Sequence, residues 1–498
     1  MASTVPPLRL RALNRAPIRG DRSYVLYWMI GQRRIAWNFA LDRAVERARA
    51  LRRPLVILEA LRCDYPWASL RHHRFALDGM RDHRKACAGL PVFHYPYVEP
   101  SPGAGRGLLE ALAHGAAAVV TDDMPFFFFP RMLEAAARKL DVRLEAVDSH
   151  GLLPLRQPDR DFITAYSFRI HLHKHLLLHL GEMPRPTPME EGSLPSAVGL
   201  GAEDGPLREI LRRWRPASDD LLSAGAGLEE VAVSRAVAPV PFSGGPAAAR
   251  RRLRHFLEQK LSRYDAERND PDADVGSRLS PYLHWGHLSA HEIFQRLAEQ
   301  EDWTPNRVDE SVPKGRREGW WGMSPPSEAF LDELVTWREI GFNAWVRHGE
   351  AVEHYDSLPA WARETLADHE DDPRAHCYDL RAFDDAETHD PLWNAAQREL
   401  RTEGTIHNYL RMLWGKKILE WSVTPRDALE IMLELNNRYA VDGRDPNSTS
   451  GITWVLGRYD RGWPERDIYG KVRSMSSRST RRKVSVARYL ERFGESSS

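Results

Sequence analysis

The run from Ile406 to Trp421 carries His407, Arg411 and Trp414 on one helical face, with Trp421 two turns beyond Trp414 on nearly the same stripe. A guanidinium among apolar residues needs a carboxylate, because an unpaired buried charge is very costly. Asp442, in the segment Asp442-Gly443-Arg444-Asp445-Pro446-Asn447, is the candidate. Ten of the sixteen tryptophans fall between Trp320 and Trp463. Indole is readily oxidised and stacks on bases, so this crowding points to electron traffic or base stacking as well as packing. Taken singly, each tryptophan reads by default as a bulky core or interface residue.

Composition narrows the classes. A chain of 498 residues has room for two or three domains. Seventy basic residues balance seventy acidic ones, so attraction to nucleic acid has to come from local clustering. Cys63, Cys87 and Cys377 are widely separated, which fits a reducing cytosol and argues against a disulfide framework or a zinc site; no metal is expected. No apolar run approaches a membrane span. The start lacks the apolar core of a secretory signal and reads as a flexible or clasping tail over 1–20.

Short apolar runs then alternate with amphipathic stretches. Strands are expected at Tyr24 to Met29, Pro54 to Leu58, Val92 to Tyr95 and Ala117 to Thr121, and helices at Ile35 to Arg52, Leu70 to Ala88 and Gly107 to His114. That alternation predicts a Rossmann-like parallel α/β domain over 21–180. Met29-Ile30-Gly31-Gln32-Arg33-Arg34 after the first strand is no Gly-rich phosphate fingerprint, which speaks against a conventional dinucleotide site. Phe126 to Phe129 reads as core or domain contact. Residues 181–245 shift to Pro, Gly, Ala and Ser, as a linker does. A mainly helical domain over 246–490 follows, with periodic segments at Arg250 to Tyr264, Ser289 to Glu299, Glu328 to Val346, Trp393 to Glu403, Ile406 to Trp421 and Pro425 to Tyr439. Ser289 and Thr424 are expected N-caps, with Pro425 at the first helical position.

Several motifs in order resemble class II cyclobutane pyrimidine dimer photolyases: Asp390-Pro391-Leu392-Trp393-Asn394-Ala395-Ala396-Gln397, the Ile406 to Trp421 helix, Val441 to Pro446, Gly462-Trp463-Pro464-Glu465-Arg466 and Gly470-Lys471-Val472-Arg473. Ser277 to Gly286 is similar to the flavin-binding element of the wider photolyase and cryptochrome family. Tyr24 to Leu41 resembles that family's opening strand and helix, although Met29-Ile30-Gly31-Gln32 departs from its usual Ser-Arg-Asp-Gln.

The resemblance implies an antenna-type first domain, carrying a deazaflavin, a folate or no chromophore, and a non-covalent FAD in the helical domain. Gly276, Ser277, Leu279 and Ser280 would hold the pyrophosphate where they open a helix, with Tyr264 closing the pocket. Asn408, Arg411, Asp442 and Gly443 would surround the ring system, and Asn436 would face N5. The implied activity is that of a carbon-carbon lyase: photoexcited reduced FAD passes an electron to a flipped-out pyrimidine dimer in double-stranded DNA, the cyclobutane ring opens and the electron returns. Glu333 would hydrogen-bond the lesion, protonated through burial. Trp337 and Trp454 would sandwich the lesion, and Met412 would touch it; methionine there favours the cyclobutane substrate. Trp393, Trp414 and Trp421 match electron-transfer positions, with Tyr378 as a branch toward the surface. Arg268, Lys471 and Arg473 are expected near DNA, with Trp463 in the loop supporting the gap. The basic tail to Lys483 reads as a solvated charge run. A cytoplasmic monomer, nucleoid-associated when bound to DNA, is expected.

A cryptochrome-like blue-light photoreceptor is the chief rival and a non-photochemical nucleic-acid-binding flavoprotein the third reading. Glu333, Trp337, Met412 and Trp454 argue against the photoreceptor, since a sensor needs no lesion pocket.

Overall fold

All six side chains of Tyr24–Met29 are buried, the condition of a strand central to a parallel sheet with helices on both faces. The computed structural model of the chain describes residues 4–190 and 192–494. Contacts divide it into two units: Met1–Gln157 with Leu178–Arg251 and Leu279–Arg296, and Pro158–Leu177 with Arg252–Arg278 and Leu297–Ser498.

The first unit holds β1 (Leu10–Ala12), β2 (Tyr24–Met29), α1 (Phe39–Leu51), β3 (Leu55–Leu61), α2 (Leu70–Cys87), β4 (Val92–Val98), α3 (Leu108–Gly115), β5 (Ala116–Asp122), α4 (Phe129–Lys139) and β6 (Leu144–Val147). Strand order is β1-β6-β5-β2-β3-β4, all neighbours parallel except β1 with β6. The topology is a doubly wound α/β sheet whose order reverses between β2 and β5, where open sheets of this kind take ligands. At that reversal one of the protein's own carboxylates takes the backbone donors. Asp122 Oδ2 accepts from the backbone N–H of Ile30, Gly31 and Gln32 at 2.9 Å each, and Asp122 Oδ1 accepts from Tyr27 Oη at 2.7 Å. A carboxylate thus takes the N–H groups that a phosphate takes in a dinucleotide site, which accounts physically for the missing Gly-rich fingerprint.

Two segments expected to lie outside the regular elements are held in place in this unit. The opening segment is not a free tail: β1 pairs Leu10 with Val147, and the buried Arg9 guanidinium reaches Asp148 at 3.2 Å and the Leu152 carbonyl at 2.7 Å. Pairing blunts the exposed β6 edge, and the buried ion pair fixes the arm. Residues 181–245 are also packed rather than slack. Trp214 is buried and its indole N–H donates to Ala104 O at 3.0 Å, Tyr95 Oη donates to Trp214 O, and Ala217 N–H donates to Pro96 O at 2.8 Å.

The second unit is helical and includes α5 (Ala165–His175), α6 (Pro325–Leu331), α7 (Arg338–His348), α8 (Pro391–Glu403), α9 (Asn408–Trp421), α10 (Pro425–Tyr439) and α11 (Pro446–Val455), with further helices and turns between. Asp-Pro pairs start two of them: Asp390 caps α8 and Asp445 caps α11, each followed by proline at the first helical position. Thr424 caps α10 in a reciprocal box with Asp427. Residues 325–348 run as one helix broken by a π turn, Asp332–Trp337, joining α6 to α7. A Cβ on Gly341 would lie 2.6 Å from Pro446 O, so glycine is what lets α7 lie directly on α11. Among the described residues no helix is long and apolar enough to cross a membrane.

Candidate functional site

The turn between α10 and α11 sets one wall. Arg411 Nη2 meets Asp442 Oδ1 at 3.3 Å, as the isolated guanidinium required. Asn436 is buried, and its amide nitrogen donates to Ser448 Oγ at 2.8 Å and Asn437 Oδ1 at 3.1 Å. Asn437 Oδ1 also accepts from Arg444 N–H at 2.8 Å, so the paired asparagines hold the turn. A Cβ on Gly443 would meet Asn436 O at 2.8 Å, which keeps that position glycine. Met412 is half-buried and Asn408 exposed at the start of α9. His407 Nδ1 is buried without a hydrogen-bond partner, and burial, reinforced by Arg278, pushes the imidazole down to about 4.

A second cluster centres on the π turn, a distortion frequent at functional sites. It presents Glu333 and Trp337, both half-buried, from one short segment. Arg268 Nη1 pairs with Glu333 Oε1 at 2.8 Å and lies over the buried Tyr264 ring at 5.6 Å. Burial raises the Glu333 carboxyl above the usual carboxylate range against the pull of Arg268, and Asp332 reinforces the rise. Arg268, expected near phosphates, thus faces a carboxylate within its own unit. Asp332 is held by a buried fork from Arg169, with Nε at 2.8 Å and Nη2 at 3.0 Å.

Gly276 and Ser277 lie in the loop after Tyr264, where a Cβ on Gly276 would meet nothing within 4 Å. Leu279 precedes a five-residue helix, Ser280–His284, grouped with the first unit.

Trp393, Trp414 and Trp421 are buried. Trp393 Nε1 donates to Trp414 O at 3.0 Å, and Trp414 Nε1 to Gln397 Oε1 at 2.9 Å. The rings of Trp393 and Trp421 lie 6.1 Å apart and those of Trp421 and Tyr378 5.8 Å apart, a contiguous aromatic series ending at the half-buried Tyr378.

On the other side, Trp454 is half-buried with Lys416 Nζ 4.8 Å and the Arg473 guanidinium 5.7 Å from its ring. Arg473 also lies 4.9 Å from the Trp463 ring, and Trp463 N–H donates to the carbonyl of the exposed Lys471 at 2.8 Å. The four expected DNA residues therefore separate: Trp463, Lys471 and Arg473 share a loop, while Arg268 sits at Glu333. Trp337 and Trp454 make no ring contact with each other among the described residues.

Sequence reasoning missed four partners. Arg169 and Asp332 carry no spacing signal, although an aspartate inside an otherwise apolar helical run is one. Lys416 is wholly buried, donates to Val455 O at 2.6 Å and is pushed down by burial to about 7. His389 hydrogen-bonds Tyr378. In the first unit, Glu59, His83 and His94 form a buried cluster of metal-ligand types. Both imidazoles lie on Glu59 Oε2, at 2.9 and 3.1 Å, with Arg33 at 3.4 Å from Oε1. Burial alone would raise the Glu59 carboxyl; His83, His94 and Arg33 instead hold it well below the usual range, while His83 Nε2 and His94 Nδ1, on the far sides of the two rings, are buried without a hydrogen-bond partner.

No protein-family profile matches the chain. It is 35% identical over 488 residues to a deoxyribodipyrimidine photo-lyase of Methanothermobacter thermautotrophicus, covering 97% of this chain and 98% of that one. Proteins of the same name from Arabidopsis thaliana and Potorous tridactylus are each 31% identical, covering 98% and 93% of this chain and 94% and 80% of theirs. The structure of a bacterial class III photolyase from Agrobacterium tumefaciens superposes with a TM-score of 0.64 at 16% identity, over 95% of this chain and 86% of that one, and shows the shared fold. An α/β sheet unit with a helical partner, and full-length relatives above 30% identity, define the class. The chain belongs to the photolyase/cryptochrome family, among its deoxyribodipyrimidine photo-lyase enzymes.

Proposed function

We propose that this chain is a class II photolyase that repairs cyclobutane pyrimidine dimers in duplex DNA, using non-covalent FAD and light. The observation that carries this reading is the π turn, which presents Glu333, a carboxyl whose proton affinity burial raises against the pull of Arg268, in the same short segment as the indole of Trp337. A protonated carboxyl donates a hydrogen bond to a base carbonyl and stabilises negative charge developing there. Trp337 and Trp454 stack on the extruded bases; a fused dimer pairs poorly, which lowers the cost of extrusion and selects damage. Arg473 between Trp454 and Trp463 braces the opened duplex, and Lys471 meets phosphate.

The turn from Asn436 to Gly443 fits a flavin. Arg411 makes one contact with Asp442, leaving guanidinium N–H groups for ring acceptors. Asn436 donates its amide hydrogens within the protein, so its carbonyl oxygen is the atom left to accept from a reduced ring's N5–H. Tyr264, Gly276 and Ser277 would hold part of the remainder of the cofactor, and Asn408 a ring edge. When bound and reduced, FAD supplies the electron that light drives onto the dimer and receives it back after both bonds open. Trp414, Trp393, Trp421 and Tyr378 form the relay that restores its reduced state. The sheet unit takes the antenna role.

Illumination of reduced protein with dimer-containing duplex, following loss of the lesion, tests the reading. Glu333→Ala is expected to lower the repair yield with the flavin spectrum intact. Dimers persisting under light with the wild-type protein would end the assignment.

A further inference from the structure

Tyr378 ends the aromatic series, and a phenol presents a problem that an indole does not: its oxidised form is strongly acidic, so the electron leaves readily only if the proton has somewhere to go. The structure supplies a destination. Tyr378 Oη lies 2.8 Å from His389 Nδ1 and accepts from the backbone N–H of His389 at 3.0 Å. The same imidazole packs edge-on to Trp421 at 4.9 Å and stacks on the exposed His376 at 3.6 Å, with planes 20° apart. One residue thus touches the oxidant, the donor and the solvent side.

We propose that His389 is the proton acceptor for Tyr378 when the hole on Trp421 moves to the phenol, making Tyr378 and His389 a proton-coupled terminus of the relay. The proposal rests on the photolyase reading for its oxidant, the Trp421 radical cation left when the relay re-reduces oxidised flavin. One electron passes from Tyr378 to that cation while the phenolic O–H bond breaks and an N–H bond forms at His389 Nδ1. The products are neutral Trp421, a neutral phenoxyl radical and an imidazolium, so charge is conserved. The backbone N–H of His389, untouched by the transfer, continues to hold the phenoxyl oxygen. Exposure of His389 lets the imidazolium release a proton to water, which prevents simple back-transfer.

The groups facing His389 suit this task. Partial desolvation on its Tyr378 and Trp421 side lowers its proton affinity below the ordinary 6.5, and His376 and Lys417 act in the same sense, against Asp390 and Glu420. Lys417 lies over Trp421 at 5.2 Å and is paired with Glu420 at 2.6 Å, while Asp390 is occupied in capping α8. The imidazole is therefore neutral and able to accept at neutral pH, and loaded and unable to accept once pH falls below its lowered value.

The test uses the holoenzyme with oxidised flavin, laser excitation, and transient absorption with electron paramagnetic resonance to separate tryptophan from tyrosyl radicals. The wild type is expected to convert tryptophan radical to tyrosyl radical more slowly in heavy water, with the tyrosyl yield lost at acid pH. His389→Phe and His389→Gln are expected to keep the tryptophan radical but form tyrosyl about 100-fold more slowly, the low end of what a positioned base contributes; Tyr378→Phe forms none. Added imidazole is expected to restore part of the rate in His389→Phe. Tyrosyl formation at the wild-type rate in both His389 variants overturns the proposal, as does a wild-type tryptophan radical that never yields tyrosyl. Absence of any tryptophan radical in the wild type would instead overturn the relay itself, and the proposal with it.

Discussion

Removing the Arg169 guanidinium leaves the Asp332 carboxylate buried without its partner. The pair is a two-point fork at 2.8 and 3.0 Å, with each side chain 6% exposed. Unit charges about 4 Å apart attract by about 4 kcal/mol at an effective dielectric of about 20, and losing one member of a buried pair costs about 3–5 kcal/mol because the other charge stays. Arg317, 4.0 Å from Asp332 and mostly exposed, compensates little. Arg169→Gln is therefore expected to destabilise by about 3–5 kcal/mol and Asp332→Asn by a similar amount. The double variant places two amides where the charges stood and should lose less than the sum, giving a coupling of about 2 kcal/mol. Urea unfolding of all four proteins, followed by circular dichroism, closes the cycle. Asp332 opens the π turn, so Arg169→Gln should also reduce repair yield at temperatures where the protein remains folded. Single variants within about 0.5 kcal/mol of wild type, the range of ordinary surface changes, or strict additivity, would refute the claim that this pair holds the turn.

Glu333 should leave a pH signature. Its folded pKa lies above its ordinary 4.5, so its contribution to stability is fully present below pH 4.5 and is lost as pH rises through the folded value. Arg268→Ala removes the opposing cation and should carry that loss to higher pH, while Glu333→Gln should flatten it; urea midpoints that follow the same pH curve in all three proteins would contradict this. Lys416 works in the opposite window. Its folded pKa is depressed to about 7 from 10.5, so between those values only the unfolded chain holds the proton and stability rises with pH. The limiting slope is about 1.4 kcal/mol per pH unit, and Lys416→Met should abolish it; a slope that survives the substitution would show that another group titrates. Lys471→Ala should reduce the slope of log affinity against log salt for dimer-containing duplex by about 1, read by fluorescence anisotropy. An unaltered slope would move Lys471 away from phosphate.

What is legible in the chain follows from how local its cause is. Tyr24–Met29 and Pro425–Tyr439 fall at their expected limits because a continuous apolar run and a Thr-Pro start are signals contained in the segment. β1 is hidden because three residues including Arg11 show no period, and their conformation is dictated by β6, far along the chain. β6 and α4 are masked by the run Phe126 to Phe129, whose last residue opens α4 and which reads as undirected core. The π turn is invisible for a different reason: one extra residue per turn shifts an apolar stripe by less than the scatter of the pattern, so Glu328 to Val346 reads as an unbroken helix. The same logic applies to the site. Trp393, Trp414 and Trp421 announce themselves by residue type, yet the groups that govern protons do not. Arg169 lies 163 positions from Asp332, Arg268 lies 65 from Glu333, and Lys416 lies 39 from the Val455 carbonyl. A side chain's type states what chemistry it can perform; whether it is protonated depends on partners that only the tertiary fold brings to it. Aromatic residues able to carry an electron are therefore visible in sequence by their type, while the groups that would tune proton transfers, His389 among them, have to be found in space.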